Sequence, residues 1–402
     1  MGMQNTMIKK VLLCAPALTI SGYGVHSRQI FNWLEDMGFD LKVQLLPWGT
    51  TPWYVNPDLE DGLIGRIMKH SEPIAEGEKF DMAIHVQLPN EWNTSYAEIN
   101  IGVTAGVETD ICSKEWVKSC LKMDHVIVPS QHTKQTFVNS ANKYLIPSRK
   151  LRNKITVIPE SYFDVDLDKI KPINLNLNTP FNFLLVGTLT GNNPENDRKN
   201  IYYTIKWFCE NFKEDPSVGL VLKISTGRST VRDRENTTKI VQQLVSEVRQ
   251  TAFPRIHLLH GHMSQEEIMS LYKERSIKCI ISATRGEGFG LPLLEASACG
   301  LRTIATNWSA HVEFLQDDFL EIDYDLTPVH ETRIDKNIFI EGAKWANPKE
   351  SSFKAQLSSF RVRPNPPASE FVEKIRDEYS ISSVKHLYTH FFNKKILRSK
   401  EK

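Results

Sequence analysis

The feature that most constrains the fold of this chain is an alternation of short apolar strands with helical segments, which occurs twice. In each series, runs rich in β-branched residues are separated by segments with the 3.6-residue period of a helix. Strands and helices that alternate in this way form parallel sheets covered by helices. The sequence therefore predicts an α/β protein with two doubly wound, Rossmann-like domains.

The first series of strands is predicted at Lys10–Ala15, Asp40–Leu46, Phe80–Val86, Asn100–Val103 and His125–Pro129, and the second at Phe181–Gly187, Leu220–Ser225, Ile256–His260, Cys279–Ser282 and Thr303–Thr306. Helices are predicted at Val25–Gly38, Lys114–Met123, Gln131–Ser140 and Glu370–Phe392. Between the series, Asp164–Pro180 is polar and aperiodic, as is typical of a linker. We expect an N-terminal domain over residues 1–172, a C-terminal domain over 173–370 and a terminal helical segment over 371–402.

Charge and cysteine content exclude several classes of protein. The 402 residues carry a net charge of +1, so no overall field attracts nucleic acid or an anionic membrane. The six cysteines form no C-x-x-C pair, which argues against a zinc site and against a disulfide framework. No apolar run is long enough to predict a transmembrane segment. These features lead us to expect a cytoplasmic protein.

The segment with the most chemical information is Ser282–Gly300, which combines a strand end, a glycine-containing turn and a helix start. Glycines in the turn allow close backbone approach, and the free N–H groups of the helix start favour an anion such as a diphosphate. Glu287 and Glu295 flank the turn, and carboxylates accept hydrogen bonds from sugar hydroxyls well. The alternative is a turn residue at Glu287 and a dipole-stabilised carboxylate at Glu295. Glu295 lies among apolar residues, so it needs a partner.

Glu287 and Glu295, with seven residues between them, resemble the E-x7-E signature of the family-4 retaining glycosyltransferases of GT-B fold. Proteins of that family have two Rossmann-like domains that face an interdomain cleft, and their last helix packs back on the first domain. The resemblance implies that Glu287, Gly288, Phe289 and Gly290 contact the donor sugar. It also implies a catalytic role for Glu287 and a ribose contact for Glu295.

The segment Leu258–Tyr272 resembles the part of these transferases whose loop lies over the nucleobase. The resemblance implies that His262 and Met263 contact the base through their backbone. Ser264 followed by Glu267 is also a capping-box pattern that predicts a helix start. The alternative for the histidines of this segment is a solvent-facing position without a role in catalysis.

A pair of adjacent cations is the candidate for binding the donor diphosphate. The family holds the diphosphate with an arginine just after the first strand of the second domain and with a lysine further on. Here Thr188 stands in the place of that arginine, and a loop over residues 190–200 contains Arg198 and Lys199. By resemblance, Arg198 and Lys199 stabilise the charge on the leaving diphosphate. The alternative is two ordinary surface cations on a solvated loop.

A glycine-containing loop over Ile20–Arg28 follows the first strand. As a dinucleotide fingerprint it is incomplete, because the third glycine and the acidic ribose partner are missing. This argues against a nicotinamide-dependent oxidoreductase. Gly22 and Gly24 better resemble the loop that faces the donor phosphates in the transferases, although a tight turn explains them equally well.

Gly102–Ile111 resembles a G-x-E-T-D segment found in a subset of the same family. Many relatives carry a catalytically important histidine in this loop, and Glu108 is its nearest chemical substitute here, followed by Asp110. A carboxylate at this position would polarise an acceptor hydroxyl. The alternative is that Glu108 and Asp110 cap the helix that begins near Ser113.

The resemblance implies an enzyme that moves a sugar from a UDP- or GDP-linked donor to an acceptor hydroxyl with retention of configuration. No D-x-D dyad ends a strand between the predicted domains, so we expect no metal and no other cofactor. The acceptor stays open between a glycan, a protein, a metabolite and a modified nucleobase. The alternative function is an inactive protein of GT-B fold that binds a nucleotide or a glycan.

Overall fold

A computed structural model describes residues 8–163, 165–189, 191 and 193–397. The chain forms two compact units. The first contains the described residues of Met1–Gly106, Cys112–Ser161 and Ile381–Lys402, and the second contains those of Val107–Ile111 and Tyr162–Ser380. A short segment from the first half of the chain thus belongs to the second unit, and the C-terminal segment belongs to the first.

The first unit is built on a sheet of six parallel strands. The strands are β1 (Lys10–Ala15), β2 (Asp40–Leu45), β3 (Phe80–Val86), β4 (Ala97–Val103), β5 (His125–Val128) and β6 (Ile155–Val157), and the helices are α1 (Gly22–Asp36), α2 (Leu63–Lys69), α3 (Lys114–Lys122), α4 (Gln131–Lys143) and α5 (Ser148–Lys154). The strand order is β2-β1-β3-β4-β5-β6. The chain runs outward from β1 to β2 on one side of the sheet and from β3 to β6 on the other. The direction therefore reverses between β1 and β3, as expected of a doubly wound sheet.

The second unit contains another sheet of six parallel strands and a two-stranded antiparallel hairpin. The strands are β7 (Phe181–Thr188), β8 (Val218–Ser225), β9 (Arg255–Leu259), β10 (Ile277–Ser282), β11 (Arg302–Thr306) and β12 (Leu320–Ile322), with the hairpin β13 (Tyr324–Pro328) and β14 (Lys344–Pro348). The helices are α6 (Ile201–Asn211), α7 (Val231–Val248), α8 (Gln265–Tyr272), α9 (Leu291–Ala298), α10 (Val312–Leu315), α11 (Glu350–Val362) and α12 (Ser369–Glu378). The prediction of two Rossmann-like domains is confirmed.

The strand order of the second sheet, β12-β11-β10-β7-β8-β9, places a topological switch point between β7 and β10. Because crossovers in parallel sheets are right-handed, α6 and α7 cover one face of this sheet and α8 and α9 cover the other. In open α/β sheets, ligands bind outside the carboxyl ends of the strands at the switch point. The loops that follow β7 and β10 are therefore the expected place for a ligand.

The C-terminal helix α13 (Ile381–Phe391) completes the first unit by packing on α1. The rings of Trp33 and Tyr388 lie 5.2 Å apart, and the indole N–H of Trp33 donates to Thr389 Oγ1 at 3.1 Å. Tyr388 is also 2.8 Å from Nε2 of the buried His26. The helical pattern predicted over Glu370–Phe392 is thus two helices, α12 in the second unit and α13 in the first.

All ten predicted strands are present, most of them within one or two residues of the expected bounds. The helix predicted from Val25 begins earlier, at Gly22, because the Ser21 hydroxyl accepts a hydrogen bond from the Gly24 N–H at 3.0 Å. The short strands β6 and β12 and the hairpin were not predicted. In the described part of the chain, no helix has the length and apolar composition needed to cross a membrane.

Candidate functional site

The turn between β10 and α9 depends on two glycines that leave no room for a side chain. Gly286 packs so closely against the second unit's Val107–Ile111 segment that an added Cβ would lie 2.9 Å from the Glu108 carbonyl oxygen. Gly290, just before α9, has a φ of +104°, and its Cβ would lie 3.0 Å from the Cβ of His311. Left-handed backbone at close quarters favours glycine. The turn is therefore fixed by its packing.

Phe289 and Gly288 lie in the same turn, as the sequence places them. The Phe289 side chain is buried and its ring packs 5.5 Å from Phe314 and 6.3 Å from Tyr379. The ring of Phe289 is thus committed to packing within the second unit. A contact of Phe289 with a donor sugar stays a prediction.

The loop after β7 is fastened to the β10–α9 turn by the backbone. The Arg285 N–H donates to the Arg198 carbonyl oxygen at 2.8 Å. Asp197 orders the same loop, since its carboxylate accepts hydrogen bonds from the N–H groups of Lys199 at 3.1 Å and Ile201 at 2.7 Å. Residues 190 and 192 of the predicted 190–200 loop lie outside the described residues. These contacts bring Arg198 and Lys199 to the switch point.

Four charged side chains converge there. Lys199 Nζ lies 2.7 and 2.8 Å from the two carboxylate oxygens of Glu287. The Arg198 guanidinium donates to the Gly286 carbonyl oxygen at 2.7 Å and lies 3.3 Å from Glu287 Oε2. On its other side, Arg198 Nε lies 3.3 Å from Glu108 Oε1. The structure thus joins three segments distant in sequence into one cluster with two cations and two carboxylates.

Glu287 is ionised in this cluster although only 7% of it is exposed. Burial on its own would raise the pKa of the carboxyl, but the charges of Lys199 and Arg198 outweigh that effect and lower the pKa to about 2. The Glu287 N–H also donates to Ser309 Oγ at 2.8 Å. Backbone and side chain are therefore both fixed, with the carboxylate pointing at the two cations.

His311 supports this arrangement and was not anticipated from the sequence. The side chain is fully buried, and Nε2 lies 2.7 Å from the Thr306 carbonyl oxygen, so Nε2 carries the proton. Nδ1 faces the Ser309 hydroxyl at 3.4 Å, and Ser309 in turn receives the Glu287 N–H. Burial lowers the pKa of His311, which keeps the ring neutral. No spacing or periodicity near His311 indicated this role.

Glu108 belongs to the second unit, together with the rest of Val107–Ile111. Asp110 fastens this segment to β14, because its N–H donates to the Lys344 carbonyl oxygen at 2.9 Å and its carboxylate accepts the Lys344 N–H at 2.7 Å. The alternative that Glu108 and Asp110 cap α3 is wrong. Ser113 caps that helix, with its hydroxyl accepting the Trp116 N–H at 3.3 Å.

Glu295 lies on α9 with 5% of its surface exposed. The partner expected for it is Tyr272 on α8, whose hydroxyl donates to Glu295 Oε2 at 2.9 Å. Burial raises the pKa of Glu295 to about 8, and the hydrogen bond from Tyr272 offsets only part of this effect. The two glutamates of the E-x7-E segment therefore differ: Glu287 is ionised and Glu295 holds a proton at neutral pH.

His262 and Met263 lie in the loop between β9 and α8. The capping box predicted for α8 is confirmed, with Ser264 Oγ accepting the Glu267 N–H at 3.2 Å and Glu267 accepting the Ser264 N–H at 2.7 Å. Just before His262, Gly261 has a φ of +112°. The loop is thus held at one end by α8 and turns sharply at the other.

Gly22 and Gly24 lie in the first unit, at the start of α1. A Cβ on Gly24 would lie 2.0 Å from the Thr19 carbonyl oxygen, so packing within the turn accounts for this glycine. Gly22 is exposed. A role for this turn in phosphate binding stays a prediction.

Comparison with known proteins agrees with this description of the second unit. Residues 241–322, from α7 to the end of β12, match the family model described as glycosyl transferases group 1. This segment contains His262, Met263, Glu287 and Glu295. A comparison with curated proteins found no match.

Solved structures of glycosyltransferases resemble almost the whole chain. A glycosyltransferase from Rickettsia africae ESF-5 has a TM-score of 0.60 at 14% identity, covering 97% of this chain and 99% of that chain. Sucrose-phosphate synthase from Thermosynechococcus elongatus gives 0.60 at 14% identity, covering 96% and 98%. HepE from Anabaena, in complex with UDP and glucose, gives 0.61 at 11% identity, covering 96% and 100%. The chain has the GT-B fold. At these identities, the likeness establishes the fold alone.

Proposed function

We propose that this protein is a glycosyltransferase that moves a sugar from a nucleoside diphosphate sugar, UDP- or GDP-linked, to an acceptor hydroxyl. The observation that carries the proposal is the cluster of Arg198, Lys199 and Glu287 at the switch point of the second sheet. Cations suit a diphosphate, and a carboxylate beside them suits the hydroxyls of the attached sugar. The match of residues 241–322 to glycosyl transferases group 1 supports the same reaction class.

Each part of the donor has candidate contacts in the chain. We assign the diphosphate to Arg198 and Lys199, the sugar to Glu287, Gly288, Phe289 and Gly290, the ribose to Glu295, and the nucleobase to His262 and Met263. A phosphate contact of Gly22 and Gly24 stays a prediction of the family resemblance. Glu295 is protonated in the free protein, so ribose hydroxyls that donate hydrogen bonds would favour its ionised form and lower its pKa.

The charge balance of the cluster suggests how the donor binds. Without a ligand, the two cations face Glu287 and Glu108, and the formal charges cancel. A bound diphosphate would accept some of the hydrogen bonds that Arg198 and Lys199 otherwise donate within the cluster. The Glu287 carboxylate would then accept hydrogen bonds from the sugar hydroxyls. Donor binding in this scheme exchanges internal ion pairs for ligand contacts.

In the reaction, the acceptor oxygen forms a bond to the anomeric carbon as the bond from that carbon to the diphosphate oxygen breaks. The electron pair stays on the diphosphate, where Arg198 and Lys199 stabilise the developing charge. Glu108 accepts the hydrogen bond of the attacking hydroxyl and receives its proton. Retention of configuration rests on the family resemblance and requires the acceptor oxygen to approach the anomeric carbon on the face that the diphosphate leaves.

We propose that transfer needs no metal ion, since two cations already stand at the predicted diphosphate position. Activity that survives EDTA is the expected result, and loss of activity restored by Mg²⁺ or Mn²⁺ would contradict it. We place the protein in a reducing compartment such as the cytoplasm, because its six cysteines are unpaired thiols.

The test is a panel of UDP- and GDP-sugars incubated with the protein, with release of UDP or GDP as the readout. UDP-glucose is the first donor to try, because HepE was solved with UDP and glucose. We expect release from at least one donor, lost in Glu287→Ala and kept in Glu266→Ala, a control at an exposed glutamate of α8. Nucleotide binding without turnover, unchanged by Glu287→Ala, would instead favour an inactive binding protein.

A further inference from the structure

A buried lysine on the penultimate strand of the second sheet has no role so far. Lys223 lies on β8, two residues before the strand ends, with only 8% of its surface exposed. It pairs in register with Val186 of β7 and Leu259 of β9. The loops that carry Lys199 and His262 follow these two neighbouring strands. Lys223 therefore lies between these two strands, near the ends from which both loops begin.

The side chain of Lys223 projects from the sheet face that carries α8 and α9. Successive residues of a strand point to opposite faces, and Leu222 and Ile224 both belong to the hydrophobic core formed with α6 and α7. Glu295 of α9 and Tyr272 of α8, which we assign to the ribose side of the site, lie on the same face as Lys223. Lys223 thus lies on the side of the sheet where we expect the nucleoside to bind.

The ammonium group of Lys223 has more N–H donors than its hydrogen bond to Gly261 uses. Lys223 Nζ donates to the Gly261 carbonyl oxygen, which also accepts the Ser225 hydroxyl at 3.3 Å. Among the described residues, no carboxylate lies within ion-pair distance of Nζ, and Glu267 of α8 acts on it only from further away. An ammonium has three donors, and burying a charge without full hydrogen bonding is costly. Burial accordingly lowers the pKa of Lys223.

We propose that Lys223 is a specificity-determining residue for the nucleobase, donating a hydrogen bond to a keto oxygen on the base edge. The proposal rests on the proposed function, since it places the base beside Gly261 and His262. A keto oxygen, as in uracil or guanine, accepts from the ammonium. An exocyclic amino group at the same position, as in cytosine or adenine, presents a second donor and leaves the pair unmade. The site thus selects UDP over CDP, or GDP over ADP.

The test measures dissociation constants of UDP, CDP, GDP and ADP by calorimetry for the full-length protein and for Lys223→Met. We expect the wild type to bind one keto nucleotide at least about tenfold more tightly than its amino counterpart, from the strength of a charge-assisted hydrogen bond. In Lys223→Met this preference falls to about twofold or less, mainly through weaker binding of the keto nucleotide. Lys278→Met on β10 is the matched control, an exposed lysine of the same sheet, and keeps the preference.

The remaining outcomes overturn one claim or the other. An unchanged ratio in Lys223→Met would refute a base contact, and equal losses of affinity for UDP and CDP would place Lys223 at the diphosphate instead. Lys223→Arg retains a hydrogen-bond donor, so we expect it to keep the preference for the keto nucleotide. If this preference falls as far in Lys223→Arg as in Lys223→Met, Lys223 serves only the packing of the loop and the proposal is refuted. If the wild type binds none of the four nucleotides, the proposed function itself fails.

Discussion

The two units contain turns of the same design, each with a strand, glycines and a helix that carries a buried ionisable side chain. After β1, Arg28 of α1 donates to the carbonyl oxygens of Ala17 at 2.9 Å and Thr19 at 3.0 Å, and its Nε lies 3.1 Å from Glu60. After β10, Glu295 of α9 has Tyr272 as its hydrogen-bond donor. The buried charge at the first turn is thus satisfied by two backbone carbonyl groups and one carboxylate, all from the first unit.

The second turn is different because it joins two cations and two carboxylates from three separate segments. Glu287 is held by Arg198 and Lys199 from the loop after β7, and Arg198 also pairs with Glu108. The carboxyl of Glu295 on the next helix is left protonated by burial. Glycines after a strand therefore do not identify a ligand site by themselves. We propose that the convergence of charges from several segments identifies it instead.

The largest effect expected from this difference is on turnover. In Lys199→Met combined with Glu287→Gln, we expect the rate of donor cleavage to fall by about 10³-fold, the scale of losing preorganised charge stabilisation. The melting temperature should change little, since replacing both members of a buried ion pair with neutral groups is often neutral. UDP release and thermal melts measure the two quantities. Turnover equal to that of the wild type would show that the charges of the second turn have no part in donor cleavage.

At the first turn, removing the buried charge should affect stability and not turnover. Arg28→Met leaves Glu60 buried without its cation and removes two hydrogen bonds to carbonyl groups. We expect a loss of about 3 kcal/mol in the stability of the first unit, measured by urea unfolding. UDP affinity of the folded protein should stay within about twofold of the wild type. A large loss of affinity at unchanged stability would instead place this turn in the donor site.

The protonated state of Glu295 predicts a pH dependence of stability. Its pKa is about 8 in the folded protein, against an ordinary value of 4.5, so the folded state keeps a proton that the unfolded chain releases. Stability attributable to Glu295 is therefore greatest below about pH 4.5 and falls as the pH rises to about 8. Melting temperatures between pH 5 and 9 should fall less steeply for Glu295→Gln than for the wild type. Parallel curves would show that Glu295 is already ionised.

The smallest of the changes expected in the donor site is a gain in UDP affinity in Glu108→Gln. This change removes a negative charge beside the diphosphate position and frees Arg198 from one of its partners. We expect UDP to bind about threefold to tenfold more tightly, because a like charge near the ligand is removed. Donor turnover should fall if Glu108 receives the acceptor proton. Calorimetric titration with UDP checks the affinity, and weaker binding would show that Glu108 orders Arg198 for the ligand.

Sequence reasoning recovered the sheets because their signal is local. The alternation of apolar runs identified ten strands, and the pattern of Ser264 and Glu267 identified the start of α8. It missed the three-residue strands β6 and β12 and the β13–β14 hairpin, because such short strands and a hairpin with exposed positions lack a periodic signal.

The site was predicted as a set of residues and not as an arrangement. Glu287 and Lys199 were both named, but their ion pair spans 88 positions, and no spacing rule reaches that far. Likewise, nothing local indicates that Glu108 joins the second unit, or that His311 and Ser309 support the backbone of Glu287. These are long-range contacts, so only the folded chain reveals them.

The central claim is that Arg198, Lys199 and Glu287 form a nucleotide-sugar site, and a calorimetric titration with UDP and GDP tests it most directly. The wild type should bind at least one of them, and Lys199→Met should bind it about tenfold to a hundredfold more weakly, the cost of losing a charged hydrogen bond. Lys278→Met should match the wild type. Equal affinity of Lys199→Met and the wild type, or no binding of either nucleotide, would contradict the account.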